Sequence, residues 1–163
     1  MQLIDRNSAL WTYLSNDIKG LVIDGEQVVA GADNFPKELS DYSFLVFTFA
    51  KAYEGFLKRL FLDLELIKED EYYSDEIRIG KILNPRYIDE HGNVFMRLCN
   101  VTDCKENELS AKLWQTWKRS RNQVFHYFPH NYKRLTKDEA VSLIHEITTI
   151  MEDVMTQCDI SIQ

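Results

Sequence analysis

The sequence predicts an all-α protein, a helical bundle with one or two small β-hairpins. Apolar residues recur at intervals of three and four over most of the chain, which is the spacing of amphipathic helices. Two short segments instead each have a glycine between apolar residues, a pattern that favours hairpins. A chain of 163 residues, 45% of them hydrophobic, has the size and composition of one globular domain, so we expect a single domain over residues 1–163.

The helices follow from this spacing in chain order. A first helix is expected over 3–19, a long one over 36–67, a third over 106–127 and a last over 136–157. The third ends before Pro129, which cannot continue a helix. The last begins with a capping box, in which the Thr136 hydroxyl accepts from the Glu139 amide and the Glu139 carboxylate reaches back. We therefore expect the core over about 37–157, preceded by the N-terminal helix and a small hairpin within 1–35.

The two hairpins are predicted around Gly25 and Gly92. Asp24 and Gly25 separate two apolar runs between residues 21 and 30, a strong turn signal. Gly92 lies in the middle of residues 87–95 and marks a second turn. The acidic residues 68–76 are expected to form a loop or short turn. Residues 77–83 are expected to form a short helix or strand, and the pattern does not distinguish the two.

Composition disfavours several classes of protein. No run approaches the ~20 apolar residues that a bilayer crossing needs, so we expect no membrane partner. The N-terminus lacks the basic segment and apolar core of a signal peptide, which predicts a cytoplasmic location. The three cysteines form no CxxC pair, so neither a disulfide framework nor a zinc site is expected, and no cofactor is predicted.

The charge is unevenly distributed along the chain. The net charge of −7 argues against nucleic-acid binding. Residues 111–134, however, contain six basic and no acidic residues, so the remainder carries −13. The window also contains six aromatic residues, and this mixture suits phosphate contact and base stacking. An amphipathic helix with core aromatics and solvated cations has the same composition, so both interpretations stay open. The basic residues are Lys112, Lys118, Arg119, Arg121, Lys133 and Arg134, and the aromatic residues are Trp114, Trp117, Phe125, Tyr127, Phe128 and Tyr132.

Arg121 and His126 are the candidate catalytic pair in this window. RNA cleavage without a metal needs a group that moves the 2′-hydroxyl proton and a cation for the charge that develops on the phosphate. Histidine suits proton transfer near neutral pH, and arginine has a permanent charge and a forked donor that fits phosphate oxygens. Five residues along an α-helix turn through about 140°, so the pair would not share one helix face. The site therefore requires a cleft entered from both sides or a loosened helix end near Pro129.

A polar face on the long helix adds a third candidate. Lys51, Glu54 and Lys58 occur at intervals of three and four, so they are neighbours on the helix surface. Their helix is otherwise broadly apolar.

These residues resemble a known family. Arg121-Asn122-x-x-x-His126, near the end of the third main helix, resembles the signature of the HEPN ribonucleases. The segment Lys-Ala-Tyr-Glu-Gly-Phe-Leu-Lys-Arg-Leu at 51–60 resembles the first core helix of that superfamily. The chain is most similar to the C-terminal toxin domain of the RNase LS toxins, which pairs an acidic residue on the early helix with Arg-x4-His. Glu54 occupies the matching place, and the resemblance covers roughly residues 37–153.

The resemblance implies a role for each of these residues. His126 would transfer the proton, and Arg121 would bind and polarise the scissile phosphate. Asn122 would orient His126 or the phosphate, and Glu54 would hold Arg121 or assist His126 from the facing helix. The residues expected to bind RNA are Lys51, Lys118, Arg119, Tyr127 and His130.

The implied function is that of a metal-independent endoribonuclease of the toxin or phage-defence type. It would act as a homodimer on single-stranded RNA or tRNA and leave a 2′,3′-cyclic phosphate and a 5′-hydroxyl. A protein antitoxin or inhibitor would be a further partner. Phe128 replaces the tyrosine that many HEPN toxins have two residues after the histidine, which puts control by modification of that tyrosine in doubt. The alternatives are a non-catalytic HEPN module that binds RNA, nucleotide or protein, and a purely structural domain.

Overall fold

The structure is a computed structural model that describes residues 2–88, 93–101, 108–127, 129 and 133–157. Every regular element in these ranges is helical, and no β-strand occurs among them. The all-α class is therefore confirmed for the described part of the chain. None of the helices in these ranges has both the length and the apolarity that a bilayer crossing requires.

The helices alternate with short turns. Two 3₁₀ turns, Ala32–Asn34 and Ser43–Val46, lie between the second and third helices, and a π-helical turn, Lys118–Asn122, continues the seventh. In chain order the helices are α1 (Ala9–Tyr13), α2 (Asn16–Gly31), α3 (Phe47–Asp63), α4 (Glu69–Tyr72), α5 (Ile79–Ile82), α6 (Val94–Val101), α7 (Glu108–Trp117) and α8 (Lys137–Gln157).

The N-terminal helix predicted over 3–19 is divided in two. The Ser8 hydroxyl accepts from the Trp11 amide at 3.1 Å, and the Ser15 hydroxyl accepts from the Ile18 amide at 3.4 Å. Both serines have extended backbone geometry, as N-cap residues do. Because each cap starts its own helix, the chain bends between α1 and α2.

The hairpin predicted at 21–30 is wrong, because these residues lie inside α2. Gly25 is buried where α2 crosses α3. A Cβ atom at this position would lie 2.4 Å from Thr48 Oγ1 and 2.5 Å from the Phe49 ring. The glycine therefore serves close packing of two helices and not a chain reversal.

The second predicted hairpin, at 87–95, is not found either. Residues 89–92 lie outside the described part of the chain. The arm expected to follow them is helical, since Val94 begins α6. The Asn93 side chain accepts from the Met96 amide at 3.2 Å, an N-cap bond that favours a helix start here over a strand.

The long helix predicted over 36–67 is shorter at both ends. Asp41 Oδ1 accepts from the Ser43 amide at 2.9 Å and from the Leu135 amide at 3.1 Å, so the chain is held in a turn before α3 begins at Phe47. At the other end Glu65 has φ of 54°, a left-handed conformation that ends the helix. The acidic segment contains the short helix α4, and residues 77–83 contain the short helix α5.

The core surrounds α3, and the last helix packs against it. Tyr53 is fully buried, and its hydroxyl donates to the Leu113 carbonyl of α7 at 3.0 Å. Buried residues from Ile4 to Val154 form one hydrophobic cluster, so residues before 37 also contribute to the core. The capping box predicted for α8 is confirmed: the Glu139 amide donates to the Thr136 hydroxyl, and the Thr136 amide donates to the Glu139 carboxylate.

Candidate functional site

A π-helical turn lies at the position of the predicted catalytic motif. The Gln123 amide donates to the Lys118 carbonyl at 3.0 Å, five residues back, where an α-helix would use a residue four back. The buried Ser120 hydroxyl donates to the Thr116 carbonyl at 2.7 Å, a contact that bends helices. The helix predicted to reach residue 127 thus ends at Asn122. Single π-helical turns are rare and occur frequently at functional sites.

The turn changes the geometry of the Arg121–His126 spacing. Arg121 lies inside the π-helical turn, and His126 lies in the non-helical residues that follow it. The rotation of about 140° applies only to a regular α-helix, so it does not describe this pair. The expected loosening of the helix is present, but it begins before the segment next to Pro129.

Arg121 of the π-helical turn forms an ion pair with Glu54 of α3. Arg121 Nη1 lies 2.9 Å from Glu54 Oε2, with side-chain exposures of 40% and 23%. The guanidinium carbon lies 5.4 Å from the centre of the Trp117 ring, within the range of a cation–π contact. Trp117 is itself buried, and its indole packs against Gly80 of α5, where a Cβ would lie 2.6 Å from Nε1. The arginine is thus oriented by a carboxylate on one helix and by an indole fixed in the core.

His126 and Asn122 complete the predicted catalytic set. His126 is exposed and lies in the non-helical residues after the π-helical turn. Asn122 is half-buried in the π-helical turn, and no hydrogen bond joins its side-chain amide to another described residue. The structure therefore brings Glu54 and Arg121 into contact and leaves the roles of His126 and Asn122 as predictions.

The predicted RNA-binding residues differ in their surroundings. Lys51, Lys118 and Tyr127 are exposed, and Lys51 lies one turn before Glu54 on α3. Arg119 instead pairs with Glu146 of α8 at 2.7 Å. His130 lies outside the described residues.

Ion pairs reduce the positive charge of the 111–134 window. Lys112 pairs with Glu108 at 2.7 Å, in addition to the pairs of Arg119 and Arg121. The side chains of these pairs are exposed or half-exposed, and such pairs contribute little to stability. They therefore orient the cations without holding them tightly.

Glu146 is the polar residue of this region that sequence reasoning missed. It accepts from the Thr116 hydroxyl at 3.2 Å and pairs with Arg119, so it joins α8 to the end of α7. It also acts with burial, the larger cause, to raise the pKa of Tyr53 well above its usual value. One sequence signal could have indicated a buried polar contact here: Glu146 follows Leu143 by three residues and therefore lies at the edge of the apolar face of α8.

A groove lies beside the π-helical turn. It has a volume of about 210 Å³ and is bounded by this turn, by residues 133–135 and by the start of α8. Arg119 and Lys133 provide two cations at its wall, while Val124, Leu135 and Leu143 provide an apolar lining. Lys133 Nζ donates to Gln123 Oε1 at 3.1 Å, which joins the two sides of the groove.

No described group of three or more His, Cys, Asp or Glu side chains is arranged to hold a metal ion.

Comparison of the chain with protein-family models, with curated proteins and with solved structures gave no match in any of the three. The described part of the chain thus contains a half-exposed Glu54–Arg121 ion pair, and the exposed His126 follows Arg121 five residues along the chain.

Proposed function

We propose that the protein is a metal-independent endoribonuclease in which Arg121 and His126 act on the scissile phosphate. The observation that supports this most directly is the Glu54–Arg121 contact at 2.9 Å, five residues before an exposed histidine. Glu54 engages one nitrogen of the guanidinium, which leaves the other donors of the planar fork for phosphate oxygens. An arginine that is already oriented loses less side-chain entropy on binding.

In the proposed reaction the RNA attacks itself. The 2′-hydroxyl oxygen bonds to phosphorus and gives up its proton, and the bond from phosphorus to the 5′-oxygen breaks. The leaving 5′-oxygen takes up a proton. His126 transfers one of these protons, and Arg121 stabilises the negative charge on the phosphate oxygens in the transition state. The products are a 2′,3′-cyclic phosphate and a 5′-hydroxyl.

The same proposal has three further parts. The protein is a HEPN ribonuclease, it has a toxin or phage-defence role, and it forms a homodimer in which two motifs line one cleft. A second copy would bring a second His126, so one histidine could accept and the other donate. A protein antitoxin or inhibitor would bind over this cleft.

Incubation with unstructured RNA in EDTA tests the proposal. Cleavage is expected, with 3′ ends that a cyclic-phosphate-specific ligase accepts. His126→Ala should reduce the rate by at least about a hundredfold, the usual contribution of general acid–base catalysis. His145→Ala, at an exposed histidine of α8, is the matched control. If the wild type leaves RNA intact, or His126→Ala cuts as fast as wild type, the proposal is wrong.

A non-catalytic module that binds RNA, nucleotide or a protein partner is the second candidate. The observation that favours it is that Arg119 and Arg121 are each already bonded to a carboxylate. It predicts retention of RNA without turnover in the same assay.

A further inference from the structure

Four phenylalanine side chains form an exposed strip beside the candidate site. Phe35, Phe44, Phe47 and Phe125 are 43%, 39%, 53% and 38% exposed. Phe35 and Phe44 meet edge to face at 6.1 Å, and Phe47 and Phe125 meet in the same way at 5.8 Å. Phe44 and Phe47 are three residues apart where the 3₁₀ turn continues into α3, so the two pairs are adjacent along the chain. We call these four residues the phenylalanine strip.

The strip is continuous with the candidate site. Phe125 directly precedes His126 in the chain. Phe47, Lys51 and Glu54 follow one another at intervals of four and three along α3, so they lie on one face of that helix. A ligand that extends from the Glu54–Arg121 pair along this face therefore passes Lys51 and reaches the phenylalanine rings.

The exposed area is too small for a stable protein interface. At roughly 200 Å² per ring, the exposed fractions of the four side chains amount to roughly 350 Å². A stable protein–protein interface covers about 800 Å² on each partner. An exposed area of this size suits a few unpaired bases better than the face of a second protein molecule.

Charge supports a stacking role as well. The chain is acidic overall, and three cations of the 111–134 window are engaged with carboxylates. Phosphate contacts therefore contribute less to binding than six free cations would. Bases stack on aromatic side chains whatever their sequence, and they do so only when they are unpaired.

We infer that the phenylalanine strip is a subsite that stacks against unpaired bases flanking the cleavage position. This inference rests on the proposed function. Lys51 contacts the phosphate between the strip and the Glu54–Arg121 pair. A duplex keeps its bases stacked on one another, so it offers nothing to the rings. The strip would therefore select the strandedness of the substrate and not its sequence.

The test compares Phe47→Leu with Tyr73→Leu. Leucine keeps an apolar side chain at position 47 but removes the ring, and Tyr73 is an exposed aromatic residue outside the strip, at 76%. Phe47→Leu should raise KM for an unstructured RNA about tenfold, in keeping with the loss of one stacked base. It should leave kcat unchanged. Tyr73→Leu should leave both parameters unchanged.

Two results would overturn the inference. One is an unchanged KM in Phe47→Leu. The other is loss of self-association of Phe47→Leu in sedimentation velocity without loss of RNA affinity, which would assign the strip to a second copy of the chain. If the wild type does not cleave RNA, fluorescence anisotropy with the same unstructured RNA still tests the strip, because Phe47→Leu should then weaken binding about tenfold. Equal binding by both proteins in that assay would also reject it.

Discussion

Glu54 is half-buried on the face of a helix that otherwise packs into the core, and its carboxylate meets the arginine of the candidate motif. Glu54→Gln keeps the size of the side chain but removes the charge that orients Arg121. We expect kcat/KM for RNA to fall about tenfold, which corresponds to about 1.4 kcal/mol of transition-state stabilisation. Glu54→Lys should reduce it further, because the new cation repels Arg121.

The control for this prediction is Glu69→Gln, which removes a carboxylate from exposed α4. Both variants should unfold at the wild-type temperature to within a few degrees, since exposed ion pairs contribute little stability. Equal kcat/KM in Glu54→Gln and Glu69→Gln would mean that the Glu54–Arg121 contact has no part in the reaction.

Asp41 predicts a pH dependence of stability. Burial tends to raise its pKa, but hydrogen bonds from Ser43 and from the Leu135 amide outweigh burial and hold the pKa below its ordinary value. A carboxyl whose pKa is lower in the folded state stabilises the fold above its unfolded pKa, about 3.9, and this stabilisation is lost as the pH falls through the folded value.

The measurement is urea unfolding of the wild type and Asp41→Asn between neutral and acid pH. The wild type should be the more stable protein at neutral pH, and the difference in free energy of unfolding should shrink as the pH falls below the unfolded pKa. A difference that stays constant over that interval would show that ionised Asp41 does not stabilise the turn before α3.

At the scale of elements, two glycines of α2 allow a matched comparison. In a helix, Gly→Ala usually stabilises by about 0.5–1 kcal/mol, because alanine restricts the unfolded chain. Gly20→Ala should show this gain, since a Cβ there meets nothing within 4 Å. Gly25→Ala should destabilise by about 1–3 kcal/mol, because its Cβ would overlap Thr48 and Phe49 of α3. Urea unfolding of the two variants measures the change in the free energy of unfolding for each. If both substitutions stabilise the protein, the close packing of α2 on α3 is contradicted.

The same elements show what the sequence could and could not predict. The start of α8 was predicted correctly, because the capping box of Thr136 and Glu139 is a local signal. The role of Gly25 was not, because a glycine that permits close helix packing has the same identity as one that permits a turn. The π-helical turn was also missed, because the spacing of side chains does not indicate whether a backbone amide donates to the carbonyl four or five residues before it. The family resemblance implied that Glu54 would hold Arg121 or assist His126, while helical spacing alone leaves the partner of Glu54 undetermined.

At the scale of the whole molecule, the net charge of −7 limits how strongly salt should affect RNA binding. If Lys51, Lys118 and Arg121 each contact one phosphate, the logarithm of the affinity for single-stranded RNA should fall with the logarithm of salt with a slope of about −2. Lys51→Gln should reduce this slope by about 0.7. Filter binding of uncut RNA by His126→Ala at several salt concentrations measures it. A slope near zero would rule out phosphate contacts, and a much steeper one would mean that more of the basic window binds RNA.

The packing of Trp117 has an optical consequence. Its indole contacts Gly80 and the guanidinium of Arg121. A natural fluorophore therefore lies next to the residue proposed to bind phosphate. Replacement of Trp11 and Trp114 by phenylalanine would leave Trp117 as the single tryptophan of the chain. Movement of the charged group above it changes the quenching of the ring, so its emission would follow the arrival and departure of a ligand in real time without any attached dye.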